Sequence, residues 1–174
     1  MQNSYLTPYH IVDFSPVYAQ QVSELYHMAI QHIRHPRYPQ AKLDAWSSSP
    51  RSSKFWQLKY QRNRAWLAVD STQQVIGFIS VETHFKQQGY IDCLYVAPAW
   101  QHQGIARALY LQLQAWVQQQ RYPVLSVDAS YLSKGLFEQH GFVLKQVSYQ
   151  HKLGQTFNGF YMQKTLINNL VTGH

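Results

Sequence analysis

A chain of 174 residues suits one domain of ordinary size, able to bury roughly 70% of the surface its unfolded form exposes, so its core needs no staples. Hydrophobic residues at 45%, with 13 Tyr and 5 Trp, exclude a disordered or fibrous chain, and charged residues at only 13% leave Gln, Ser, Thr, Asn and His to supply much of the polar surface. The formal charge of +7 raises nucleic acid and acidic ligands as partners, yet the 15 Lys and Arg stand singly with no basic run, which weighs against a nucleic-acid module. The lone Cys93 allows no internal disulfide, no apolar run approaches the roughly 18 residues of a membrane span, and the N-terminus lacks the pattern of a secretory signal. No membrane contact is expected, and the cytoplasm is the default location.

Residues 5–14 read as a first strand, and Ser15-Pro16 then supplies a cap followed by proline at the first helical position. Val22, Leu25, Tyr26, Ile30 and Ile33 recur at helical spacing, predicting a helix of about 18 residues that ends near Arg34, ahead of Pro36. Residues 34–50 form a proline-punctuated connection around a short helix over 40–46. His35, Arg37, Tyr38 and Trp46 in it either line a substrate pocket or merely pack a connector. A second short helix is expected over 53–61.

Strands follow at 64–70 and 75–84 around the turn 71–74, then a turn-like 85–89 leads to a strand over 90–96. This antiparallel meander departs from a strict alternation of strands and helices and lowers the prospect of dinucleotide binding. After residue 96 come a Pro98-marked turn, a polar loop and an amphipathic helix that sets Ile105, Leu109, Leu113, Trp116 and Val117 on one face and stops before Pro123. The strand expected at 123–129 is joined to the strand at 90–96 through that helix, a crossover that makes the pair parallel and right-handed. A helix over 130–140 ending at Gly141 and a hairpin of 142–150 with 157–165 around Gly154 complete the chain.

The loop before the long helix carries the most specific chemistry. A pyrophosphate needs converging donors with no bulky side chain in the way, and the backbone N–H groups of His102, Gln103, Gly104, Ile105, Ala106 and Arg107 at a helix start supply donors and partial positive charge together. Gly104 permits close approach. Without Lys-Ser or Lys-Thr after the glycine this is no nucleotide P-loop, and no acidic residue stands about 20 residues onward to hold a ribose. The nine histidines form no set with Cys, Asp or Glu at zinc spacing, so no metal is expected, and no Gly-x-Ser-x-Gly elbow occurs.

The element order, the Gln101-x-x-Gly104-x-Ala106 pattern, the preceding Leu94-Tyr95-Val96-Ala97-Pro98 and the later Leu136-Phe137-Glu138-Gln139-His140-Gly141-Phe142 together resemble the GNAT N-acetyltransferase superfamily over nearly the whole chain. The resemblance implies a single α/β (α+β) domain over 1–174. Its central sheet is mixed and mostly antiparallel, holds a splayed parallel strand pair and is flanked by helices. It also implies acetyl-CoA as the acyl donor, with the Gln101 to Arg107 loop on the pyrophosphate and the main-chain groups of Leu94, Tyr95 and Val96 beside the pantetheine. A small-molecule amine or a peptide or protein amine would attack directly in a ternary complex, which leaves Cys93 as a packed thiol. The resemblance leaves room for a homodimer.

This chain departs from the family where many members place a tyrosine that protonates the departing thiolate, because Phe137 stands there. Its ring can pack against the cofactor but donates no proton; Tyr131, Tyr149, His140 or water are the substitutes. Ser130, where members often have asparagine, either bonds the pantetheine or caps the next helix. For the base, strand alternation sets Phe78, Ser80, Glu82 and His84 on one face next to Asp92, which makes Glu82 the first choice and His84 the second, against a merely solvated strand end. Asp92, inside an apolar strand, needs partners whether its role is chemical or structural. A non-catalytic acyl-CoA-responsive regulator is the alternative that Phe137 keeps open, and a basic nucleic-acid-binding module is the third.

Overall fold

In the computed structural model, which describes residues 8–84 and 88–166, seven strands form one sheet in the order β1-β2-β3-β4-β5-β7-β6. The strands are β1 (Tyr9–Asp13), β2 (Arg64–Asp70), β3 (Val75–Val81), β4 (Tyr90–Val96), β5 (Val124–Ala129), β6 (Val143–Lys152) and β7 (Gln155–Thr165). The helices are α1 (Ala19–Gln31), α2 (Gln40–Trp46), α3 (Ser53–Arg62), α4 (Ile105–Gln119) and α5 (Lys134–Gln139). Every neighbouring pair is antiparallel except β4 and β5, which run parallel as the crossover through α4 requires. The mixed, mostly antiparallel sheet expected from the sequence is therefore present.

Both faces of the sheet centre are covered, which is why β2 and β3 read as nearly unbroken apolar runs. Ala65, Leu67 and Val69 of β2 face Val22 and Leu25 of α1 and Trp56 of α3, while Trp66 and Ala68 face α4. On α4 the residues Ile105, Leu109, Leu113 and Val117 are fully buried. Each such side chain contributes roughly 1.5–3 kcal/mol relative to exposure. Tyr110 joins them, while Trp116, expected on the same stripe, is only partly buried and packs edge-on against Trp66 at 5.6 Å.

Several boundaries differ from the sequence reading for local reasons. The first strand begins at Tyr9, and residues 5–7 lie outside the described residues. Pro16 starts a separate 3₁₀ turn, Pro16–Tyr18, before α1, which ends at Gln31 instead of near Arg34. The helix expected over 130–140 begins only at Lys134, because the Ser130 hydroxyl accepts from the Leu132 and Ser133 N–H groups and the Ser133 hydroxyl accepts from the Ser130 N–H. Those side-chain bonds hold a turn where the first helical turn would lie. The closing hairpin is tighter than expected: Leu153 and Gly154 form a two-residue turn with φ of 45° and 76°.

The β4–β5 ladder holds only two residue pairs, Tyr90 with Ser126 and Ile91 with Val127, after which the strands separate. Gly89 anchors the closed end. Its carbonyl accepts from the Ser126 N–H at 3.0 Å, its φ is +85°, and a Cβ there would lie 2.4 Å from the Val124 carbonyl oxygen. Because both the left-handed backbone and the contact with main chain oppose any side chain, Gly89→Ala is expected to cost about 2–4 kcal/mol. Thermal melting should show this as a drop of about 5–12 °C.

Candidate active site

Three cavities meet along the divergence of β4 and β5. The first lies at the start of α4. The Ala97 N–H bonds the Ile76 carbonyl at 2.8 Å, a 3₁₀ turn runs over Pro98–Trp100, and the Gln101 side-chain amide donates to the Val96 carbonyl at 3.1 Å, pinning the loop to the strand it leaves. His102 (φ 62°) and Gly104 (φ 82°) take left-handed conformations, and Gly104 is the N-cap of α4. The N–H groups of Ile105, Ala106 and Arg107 in the first helical turn consequently have no intrahelical acceptor. The space beside them has a volume of about 640 Å³ and is walled by Val96, Gln101, His102, Gly104, Ala106 and Arg107, with Arg34 and His32 from the end of α1 and Leu132 and Leu136 opposite. Among the described residues lining it none is acidic, while Arg34 and Arg107 bring positive charge to it. A Cβ on Gly104 would meet nothing within 4 Å, so the glycine serves the backbone conformation and keeps the ligand side bare. Gln103 does not line the space; its side chain bonds the Ala99 carbonyl at 3.2 Å.

The second cavity is the gap itself, about 80 Å³, bounded by Asp92, Cys93, Leu94 and Tyr95 on β4 and by Asp128, Ser130, Ser133 and Phe137 opposite. It shares Leu94 and Ser133 with the α4 cavity. Phe137 is 1% exposed and packs edge-on against Phe142 at 5.1 Å and Tyr110 at 6.2 Å, so it is a core ring with one side on the gap.

The third cavity, about 280 Å³, opens beyond the gap and shares Asp92, Cys93, Tyr95, Asp128 and Ser130 with it. Its walls are aromatic: Tyr26 meets Tyr95 at 4.8 Å, and Trp46 of α2 meets Phe157 of β7 edge-on at 5.8 Å. The connector residues Tyr38 and Trp46 thus do line a pocket. His35 lies in a separate shallow recess beside Ile33 and Arg34, and Arg37 stacks over Tyr131 at 4.8 Å.

The charged groups here are set by burial and pairing. Lys59 of α3 bridges Asp92 at 2.5 Å, the partner that the sequence demanded for a carboxylate on an apolar strand. Burial pulls the Lys59 ammonium down, but Cys93 and Asp92 outweigh it and leave it raised. The Tyr90 hydroxyl donates to Asp128 at 2.9 Å. Burial first, then the Asp92 charge, pushes the Cys93 thiol up to about 12, which fits a packed thiol and not a nucleophile. The Tyr38 hydroxyl accepts from the Tyr131 N–H at 3.1 Å, and burial raises its pKa.

The sequence-derived acid and base candidates fall mostly outside this centre. Glu82 follows the end of β3, where its N–H bonds the Tyr90 carbonyl at 2.8 Å; its carboxyl is raised by burial and then by Asp92, with Lys59 and His84 opposing, but it lines none of the three cavities. His84 is exposed. Tyr131 turns its ring to Phe160 at 5.0 Å, His140 packs on Tyr110 at 4.4 Å, and Tyr149 is 64% exposed on β6. The carboxylates that do reach the gap are Asp92 and Asp128. Asp128, Arg51, Lys59 and Lys152 escaped the sequence reading, and only the alternation of β5 around Asp128 carried a signal.

Among the described residues no three His, Cys, Asp or Glu side chains are grouped to hold a metal, and no helix is long and apolar enough to cross a membrane. The chain matches the Acetyltransferase (GNAT) family over residues 27–142. It is 30% identical over 153 residues to an uncharacterized N-acetyltransferase, YafP, of Escherichia coli (strain K12), covering 88% of this chain and 93% of that protein. Its fold is similar to a GCN5-related N-acetyltransferase of Rhodopseudomonas palustris, with a TM-score of 0.81 at 21% identity over 95% of this chain and all of that one (100%). A GNAT superfamily phosphinothricin acetyltransferase of Sinorhizobium meliloti, solved in complex with acetyl-CoA, gives a TM-score of 0.73 at 18% identity over 96% and 93% of the two chains.

The raised pKa of Cys93 yields a direct check. At pH 8 a thiolate-selective reagent should label the native protein about a thousand-fold more slowly than an ordinary cysteine, and labelling should become normal in denaturant. Since the folded thiol holds its proton more tightly than the unfolded one, the stability linked to it is complete below about pH 9 and is lost as pH rises toward 12.

Proposed function

The chain belongs to the GNAT acetyltransferase family, and on that premise we propose that it is an acetyl-CoA-dependent N-acetyltransferase in which an amine attacks the thioester directly within a ternary complex. The observation that carries this reading is the continuity of the three cavities, a bare helix start joined through a gap in the sheet to an aromatic pocket. The α4 cavity takes the pyrophosphate. Donors there are the main-chain N–H groups of the loop from Gln101 to Arg107, because the side-chain amides of Gln101 and Gln103 already bond Val96 and Ala99. The gap takes the pantetheine arm, against main-chain groups of Leu94, Tyr95 and Val96 that β5 does not engage, with Phe137 and the Ser130 turn on the other wall. A backbone N–H of β4 polarises the thioester carbonyl.

The amine is delivered from the aromatic cavity and loses its proton toward the gap carboxylates, Asp128 and Asp92. Glu82 and His84 stand behind the gap, where burial first and the Asp92 charge second hold the Glu82 carboxyl raised. For the leaving thiolate, Tyr38 takes the part that Phe137 cannot play. Its hydroxyl accepts from the Tyr131 N–H and also meets the Ser130 side chain, and burial raises its pKa, so the phenol carries its proton at neutral pH.

Release of CoA thiol from acetyl-CoA across a panel of amines tests the reading. Amine-dependent release is expected, with Asp128→Asn lowering kcat by about 10²–10⁴ and Tyr38→Phe by a smaller factor. Tight CoA binding with no amine-dependent release would overturn catalysis and leave an acyl-CoA-responsive regulator. Separately, Gly104→Val strains a backbone at φ 82° and fills the bare side of the cradle, so calorimetry should show CoA affinity falling by at least about 50-fold.

A further inference from the structure

The acceptor cavity is electrically polarised along its length. At the gap end stand Asp92 and Asp128, which line both cavities; toward the outside stand Arg51 and Lys152, which line only the outer one and are exposed. The two ends are partnered unequally. Lys59 answers Asp92, but among the described residues Asp128 has a neutral donor, Tyr90, and no cation, and neither Arg51 nor Lys152 has a carboxylate in a salt bridge. Arg51 is held by stacking over Phe55 at 4.6 Å and by a bond from the Ser23 hydroxyl to its carbonyl, so its position is set before any ligand arrives. The wall also includes Trp56, Ser148, Gln150 and Asn158, which carry no charge.

Resting on the acetyltransferase reading, we propose that the acceptor is a small zwitterionic amine, an amino acid or related aminoalkyl acid, whose ammonium enters toward Asp128 and whose anionic group is held by Arg51 and Lys152. The volume of about 280 Å³ suits such a free molecule better than a folded protein surface. The opposing cations also select against diamines and basic peptides, because a second positive charge would sit beside Arg51 and Lys152. Although Lys152 as a whole residue is exposed, burial of its ammonium lowers it first and the Arg51 charge second, with Asp92 opposing.

Matched acceptors test this on the full chain with acetyl-CoA: a set of amino acids, the amides of the same amino acids, aminoalkyl phosphonates and diamines. The acids or phosphonates are expected to exceed the amides and diamines at least about 30-fold in kcat/KM, and Arg51→Gln or Lys152→Gln should raise KM for the anionic amine about 10- to 100-fold and erase most of the preference. Which anion is read follows from whether carboxylates or phosphonates lead. Equal or better turnover of amides or diamines, or a preference that survives both substitutions, overturns the proposal. If no amine is acetylated although CoA binds, the catalytic reading fails on its own. The same anionic amines are then titrated into the CoA complex, where heat lost in Lys152→Gln sustains the proposal and absence of heat with the unaltered chain refutes it.

Discussion

The whole arrangement depends on a parallel ladder that stops after two residue pairs. Gly89 holds β4 and β5 together at one end, and from Asp92 onward the two strands leave each other's backbone groups unmatched. Backbone donors and acceptors inside a protein require partners, so an opened strand pair is stable only where something else will supply them. The fold therefore opens a channel by withholding hydrogen bonds from the centre of its own sheet. The three cavities of the candidate site lie along that seam: the start of α4 at one end, Asp92 and Asp128 in the middle, the aromatic cavity at the other.

The seam survives because both faces of the sheet are covered independently on either side of it. Trp56 and Leu25 pack against Leu67 and Phe78 on one face, and Leu109 and Leu113 pack against Ile76 and Ile79 on the other. None of these contacts needs β4 and β5 to stay paired beyond Val127. Helix α4 has a double duty, since the stripe that fastens it to the core also fixes the direction in which its unsatisfied first turn points.

Where local chemistry decides structure, the sequence was readable. The bounds of β2, β4 and α2 follow from turn residues and prolines nearby, and the cradle loop announces itself through Gly104 and the helix behind it. Two differences between the expected and observed elements have identifiable causes. Alternation from Phe78 was carried on to Glu82 and His84, but the register shifts between Ser80 and Val81 and the strand ends there, so the pattern no longer reports which side a residue takes. The start of α5 was placed too early because Ser130 and Ser133 satisfy backbone N–H groups with their own hydroxyls. The aromatic cavity was harder still. Arg51, Lys59, Asp128 and Lys152 come from four separate elements or connections, and no periodicity links them.

The two carboxylates that line the gap carry a consequence for the proposed reaction. On that proposal an amine would reach them as an ammonium ion and, once acylated, would be an amide with no charge and a much weaker claim on an acidic surrounding. The same two side chains that would draw an acceptor inward would then stop attracting it at the moment the acyl bond forms. Entry and exit would differ in charge, and the direction of traffic would follow from the chemistry performed.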